Sequence, residues 1–115
     1  MSEPHFFDSN AMEWSPHPRF PAILTKPLET SASYPAASVM LVRVAVGGVI
    51  DTHTHLKETE TAFVLSGQGR LMLGEAEQAL TAGTGITIPP GVPHSLHNTG
   101  DSPMELYAVH IPPVR

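Results

Sequence analysis

Gly47-Gly48-Val49-Ile50-Asp51-Thr52-His53-Thr54-His55-Leu56-Lys57-Glu58-Thr59-Glu60-Thr61-Ala62-Phe63-Val64-Leu65-Ser66-Gly67 sets two histidines one residue apart and follows them with a carboxylate. Side chains alternate along a strand, so His53 and His55 are expected to project from one face. A bend over residues 56–59 would bring Glu60 after them. A second stretch, Gly83-Thr84-Gly85-Ile86-Thr87-Ile88-Pro89-Pro90-Gly91-Val92-Pro93-His94-Ser95-Leu96-His97-Asn98, supplies a third histidine, His94, behind a Pro/Gly turn. Three imidazoles and one carboxylate form a mixed nitrogen and oxygen set. Such a set suits first-row divalent ions and is a poor match for Ca²⁺ or Mg²⁺, which want oxygen shells. A His-x-His pair taken alone is weak evidence, because two solvated surface histidines are the commoner case.

Outward from these stretches, residues 39 to 111 read as short strands and turns. Residues 39–46 are rich in β-branched side chains and end at Gly47-Gly48. Residues 61–65 and 70–73 flank Gly67-Gln68-Gly69, a hairpin signal. Strand-like runs follow at 78–82, 85–88, 94–98 and 104–111. Apart from a turn near residues 10–13, no segment carries a sustained helical period. Many short strands at this spacing point to an all-β sandwich or barrel, and closure removes exposed sheet edges. Residues 1–35 contain Pro4, Pro16, Pro18, Pro21, Pro27 and Pro35, a density that opposes helix interiors and central strands. Phe6, Phe7, Trp14, Phe20, Ile23 and Leu24 make this segment too apolar for a free tail. It is expected to be an extended arm, frayed over about its first ten residues, that packs on the barrel or on a dimer partner. Residues 36–115 are then the barrel domain.

Composition excludes several classes of function. With 115 residues the chain holds one domain, and 41% hydrophobic residues support a core. Six Lys and Arg against 11 Asp and Glu give a formal charge of −5, the wrong sign for nucleic acid or an anionic membrane. Zero cysteines exclude disulfides, thiolate catalysis and Cys-type zinc sites. No apolar run approaches the roughly 20 residues of a membrane span. The start, Met-Ser-Glu-Pro-His, lacks the pattern of a secretion signal, so a cytoplasmic location is expected.

The two stretches obey the spacings Gly47-x5-His53-x-His55-x4-Glu60-x6-Gly67 and Gly83-x5-Pro89-x-Gly91-x2-His94-x3-Asn98. They resemble both signature motifs of the cupin superfamily, with every marker residue present. The resemblance covers about residues 39–111 and leaves the arm outside. It implies a double-stranded β-helix, the jelly-roll-like cupin barrel. It also implies that His53, His55, Glu60 and His94 ligate one divalent transition ion per chain inside that barrel. Gly47, Gly67, Gly83 and Gly91 fall where turns need positive φ or close approach. Asn98 is expected to tie down a turn.

Four protein ligands leave one or two positions open on an ion that prefers five or six. Mn²⁺, Fe²⁺ and Ni²⁺ have that preference, and Zn²⁺ stops more often at four or five. An open position accepts water, O₂ or a chelating carboxylate, enolate or diol. Strand alternation turns Met40 and Val42 toward the cavity and Arg43 outward, because a lone charge inside an apolar barrel is costly. In the last strand Tyr107 and Val109 are expected to face the metal, with Tyr107 a polar group near the ion. Ile50, Val64 and Met72 complete the expected wall. His97 and His110 are read as pointing away, and His5 and His17 as solvated.

A small metal-dependent enzyme is one reading, with dioxygenase, decarboxylase, isomerase or lyase chemistry on an oxygenated substrate. A non-catalytic protein that binds a carboxylate or sugar through the metal is the alternative, and a structural relic is a third. No His-Asp pair of the kind used by cupin-type sugar epimerases is legible, and no DNA-binding segment accompanies the barrel. A homodimer is expected from the resemblance and from the apolar arm.

Overall fold

A computed structural model describes residues 3–115. Residues 1–2 of the expected arm lie outside the described residues. Ten strands follow one 3-10 turn, Ser9–Ala11. They are β1 (Ser15–Pro16), β2 (Ile23–Glu29), β3 (Ser38–Val44), β4 (Val49–His53), β5 (Thr59–Ser66), β6 (Gln68–Leu73), β7 (Ala76–Thr81), β8 (Gly85–Ile88), β9 (His94–Asn98) and β10 (Met104–Ile111). They form two antiparallel sheets, one in the order β1-β2-β3-β10-β5-β8 and the other β4-β9-β6-β7. The all-β expectation holds, with two antiparallel sheets packed face to face as a jelly-roll barrel requires. Among the described residues no helix is long and apolar enough to cross a membrane.

The core lies between the sheets. Ile23, Met40, Val44, Ala62, Val64, Met104, Leu106 and Ala108 come from the larger sheet, and Leu71, Leu80 and Leu96 from the smaller. Strand β10 alternates buried and half-exposed residues along most of its length, the period-2 signature of a sheet with one face in the core. The inward face of β10 is Met104, Leu106, Ala108 and His110. Tyr107 and Val109 therefore turn outward, opposite to expectation. Arg43 and Glu105 explain the parity. They are cross-strand partners between β3 and β10, and their side chains pair at 3.6 Å on the outer face. The desolvation argument that turns Arg43 outward applies equally to Glu105, and Tyr107 shares the Glu105 face.

Proline density misleads in the first 35 residues. Ile23–Glu29 is a full strand paired with β3, so the expected boundary at residue 35 cuts through sheet structure. Pro27 is tolerated because the β2–β3 register shifts between Pro27 and Glu29. On its other side β2 pairs with β1 only at Thr25 and Leu24, which leaves Pro27 at an edge.

Two turns depend on particular residues. Gly67 has φ +84°, and a Cβ there would meet the Met104 Cα at 2.8 Å, so the β5–β6 turn needs glycine for both reasons. Asn98 is 1% exposed. Its amide donates to the carbonyls of Val44, Ala45 and Ser102 at 3.1, 3.2 and 2.9 Å. Its side-chain oxygen accepts from the Gly100 N–H at 2.9 Å. One side chain thus joins the β3–β4 turn to the β9–β10 turn. Asn98→Ala removes these donors and leaves carbonyls unpaired. It is expected to cost about 2–3 kcal/mol in urea unfolding with an unchanged denaturant slope, and to leave metal content intact.

Candidate metal centre

His53, His55, Glu60 and His94 come together, with one ligand atom from each lying within 4.8 Å of the others. Ligand atoms around a first-row ion stand roughly 3–4 Å apart, the same scale. Both sheets contribute. His53 ends β4 and His94 begins β9 in the smaller sheet, where they are cross-strand partners. Glu60 comes from β5 in the larger sheet. His55 does not lie in a strand as expected, because β4 stops at His53. It is held instead by its backbone: the Gly91 N–H donates to the His55 carbonyl at 2.8 Å. The Gly74 N–H donates to the Pro93 carbonyl at 2.8 Å and anchors the other side of the turn that delivers His94.

Backbone hydrogen bonds orient two of the rings. His53 Nδ1 lies 2.8 Å from the Asp51 carbonyl, and His94 Nδ1 lies 2.9 Å from the Val92 carbonyl. A carbonyl can only accept, so the network assigns the ring proton to Nδ1 in each. The Nε2 lone pairs are left free, the tautomer a metal ligand needs. Burial chiefly holds the His53 pKa below its ordinary value; the Asp51 carbonyl works against this, and His94 and His55 add to it.

Glu60 is the centre of convergence. Its Oε1 lies 3.2 Å from His55 Nε2, 3.4 Å from His94 Nε2 and 3.2 Å from His110 Nε2. Burial opposes ionisation of Glu60, but the imidazoles of His110, His55 and His94 crowded around its oxygen outweigh it and hold the carboxyl well below the usual range. Burial likewise disfavours charge on His94, yet Glu60 and the Val92 carbonyl raise its pKa. With its proton on Nδ1, His94 presents a buried Nε2 that lacks an aligned hydrogen-bond partner, and this lone pair faces the Glu60 oxygen. Two lone pairs at 3.4 Å repel unless a cation lies between them. A proton on His94 answers that demand, and so does a metal ion. The donor set therefore fits a divalent transition ion.

The cluster opens onto a cavity of about 430 Å³ with a mainly apolar wall. Met40, Val42 and Ile50 line it, as do Ala62, Leu71, Ile86, Leu96, Leu106 and Ala108. Val64 is fully buried in the core and is not part of the wall. Leu71 takes the inward position expected for Met72, which is half-buried on the other parity of β6. Tyr107 and Val109 are also absent from the wall, for the reason given by Glu105.

Sequence reading missed four polar groups here, His110, His17, Arg19 and Arg115. His110 is 5% exposed, lines the cavity and is the cross-strand partner of Glu60. The Arg43–Glu105 pairing, had it been weighed, would have pointed His110 inward. His17 is half-buried and lines the cavity. Its Nδ1 accepts from the Arg19 and Phe20 N–H groups at 3.0 and 3.3 Å, and Phe20 packs between the His17 and His53 rings. Arg115 also reaches the cavity, and no periodicity marked it.

His94→Ala removes a ligand, and His110→Ala removes only a support for Glu60. The first is expected to abolish stoichiometric metal uptake. The second is expected to weaken metal affinity roughly 10- to 100-fold, read by competition with a fluorescent chelator. Both should keep cooperative unfolding, since packing between the sheets supplies most of the stability.

Comparison with known proteins agrees with this architecture. A family model described as "Cupin domain" matches residues 40–110. An uncharacterized protein of Methanocaldococcus jannaschii is 31% identical over 70 residues, which cover 61% of this chain and 56% of that protein. Germin-like protein 5-1 of Oryza sativa subsp. japonica is 37% identical over 81 residues, covering 63% of this chain and 34% of the relative. The chain thus spans about half and about a third of the lengths of these two relatives. A structure described as a predicted oxalate decarboxylase from Thermotoga maritima superimposes with a TM-score of 0.84 at 20% identity, over 93% of this chain and 98% of that one. At that identity the likeness shows the fold. With the family model spanning most of the barrel, the chain belongs to the cupin domain family.

Proposed function

We propose that the protein is a metal-dependent enzyme acting on a small oxygenated substrate, a carboxylate, enol or diol, held in the barrel cavity. The observation that carries this reading is the position of the His53, His55, Glu60 and His94 cluster on the wall of a mainly apolar cavity. Mn²⁺, Fe²⁺ or Ni²⁺ suits three imidazoles and a carboxylate with a position to spare. When bound, such an ion would polarise a substrate oxygen or acidify a water.

The chain's own residues supply the rest. The Asp51 and Val92 carbonyls hold His53 and His94 with Nε2 turned inward, so little reorganisation accompanies binding. His110 donates from Nε2 to Glu60 and keeps that carboxylate ionised and fixed in place. Met40, Val42, Leu96, Leu106 and Ala108 exclude water, which strengthens polar interactions inside the cavity. His110 also favours an enzyme over a passive binder: it adds a non-ligand imidazole on the wall, where sequence reading found only Tyr107. The likeness to a structure described as a predicted oxalate decarboxylase supports carboxylates as the first class to test.

Protein purified after Mn²⁺ or Fe²⁺ supplementation should carry close to one ion per chain by elemental analysis. A panel of small carboxylates, enols and diols should then show turnover, followed by CO₂ release, O₂ uptake and NMR, that His94→Ala abolishes. Stoichiometric metal with binding but no turnover across the panel would favour the metal-mediated binding protein instead.

A further inference from the structure

Besides the His/Glu cluster the cavity is lined by two guanidinium groups, Arg19, which lies over the Phe20 ring, and Arg115, whose surroundings are buried. Arg115 Nη1 donates to the hydroxyl of Thr25 at 3.1 Å, and Thr25 is fully buried on the inward face of β2. The head is thus pinned by a neutral partner. Nη2 is buried and has no hydrogen-bond partner among the described residues. No ion pair joins Arg115 to a side-chain carboxylate among those residues, and the Arg43–Glu105 and Arg70–Glu77 pairs lie elsewhere. A buried guanidinium donor without a partner is costly, and proteins keep one where an anion completes it. The backbone on either side is fixed. The Val114 N–H donates to Ser38 Oγ at 3.0 Å, and the Arg115 carbonyl accepts from the Ser31 N–H at 2.6 Å. His17 adds a neutral donor on the same wall. Its Nδ1 accepts two backbone N–H groups, which puts the ring proton on Nε2.

We infer that Arg115, aided by His17, forms a carboxylate subsite, so that the ligand of this cavity has two oxygen-bearing ends and an apolar body between them. One end would meet the His53, His55, Glu60 and His94 centre, and the other the guanidinium of Arg115 where it lines the cavity. This rests on the metal-centre reading above and narrows the substrate class within it. The planar guanidinium matches a carboxylate better than a neutral group of similar shape. The apolar wall, from Met40 and Val42 to Ile86 and Leu106, fits a hydrocarbon spacer, which oxalate lacks.

The test uses metal-loaded protein and paired probes that share a chelating head. Monohydroxamates of succinic, glutaric and adipic acid carry a free carboxylate at the far end, and their terminal amides do not. Calorimetric titration should show, at the best-fitting chain length, the carboxylate binding roughly 10- to 100-fold tighter than the amide, the worth of one charge-assisted hydrogen bond. Arg115→Gln should erase that preference while leaving metal content and amide affinity unchanged, and Arg115→Lys should restore part of it. Equal binding of carboxylate and amide at every length, or a preference that survives in Arg115→Gln, overturns the subsite. Bound metal with both probes binding equally would defeat the subsite alone. Protein that takes up no metal after supplementation and binds none of the hydroxamates would defeat the metal centre and the subsite together.

Discussion

The molecule is organised around a repulsion. Glu60 Oε1 and the Nε2 atom of His94 face each other at 3.4 Å inside a barrel, and with one ring proton held at Nδ1 by the Val92 carbonyl the contact needs either a second proton on Nε2 or a metal ion between them. His53 makes the same commitment to the Asp51 carbonyl. The backbone thus fixes which nitrogen of each ring looks inward, and side chains that would otherwise repel are held close together. A shared cation turns this unfavourable arrangement into a favourable one.

Sheet topology makes the arrangement possible. Glu60 and His110 are cross-strand partners in the six-stranded sheet, and His53 and His94 are cross-strand partners in the four-stranded sheet. The two pairs meet across the interior. A cation at their junction would join the two sheets at one end of the barrel, while Asn98 joins the β3–β4 and β9–β10 turns through four hydrogen bonds. Between them the apolar core holds the sheets apart at side-chain distance and leaves a mainly apolar cavity next to the polar cluster.

Much of this was legible in the chain. Turn glycines and strand-length apolar runs carried the all-β reading, and the resemblance of the two motifs to cupin signatures carried the barrel and the grouping of His53, His55, Glu60 and His94. Parity carried β3, because Arg43 marks its solvent face. The same logic applies to β10, where Glu105 marks the solvent face, so that Tyr107 lies outside and His110 inside. Residues 17–20 and Arg115 were illegible for a different reason. Their approach to the cavity depends on where the chain's ends run over the barrel mouth, and no period or motif in a single sequence encodes that. Proline counting failed at β2 because a bulged strand with a nearly free edge accommodates Pro27.

X-ray absorption at the metal edge of protein loaded with Mn²⁺ or Fe²⁺ tests the central claim most directly. The account predicts scattering from three imidazole nitrogens and one carboxylate oxygen in the inner shell, with His94→Ala removing one imidazole or the ion altogether. An ion surrounded by oxygen and water alone, or an imidazole count unchanged by loss of His94, would contradict it.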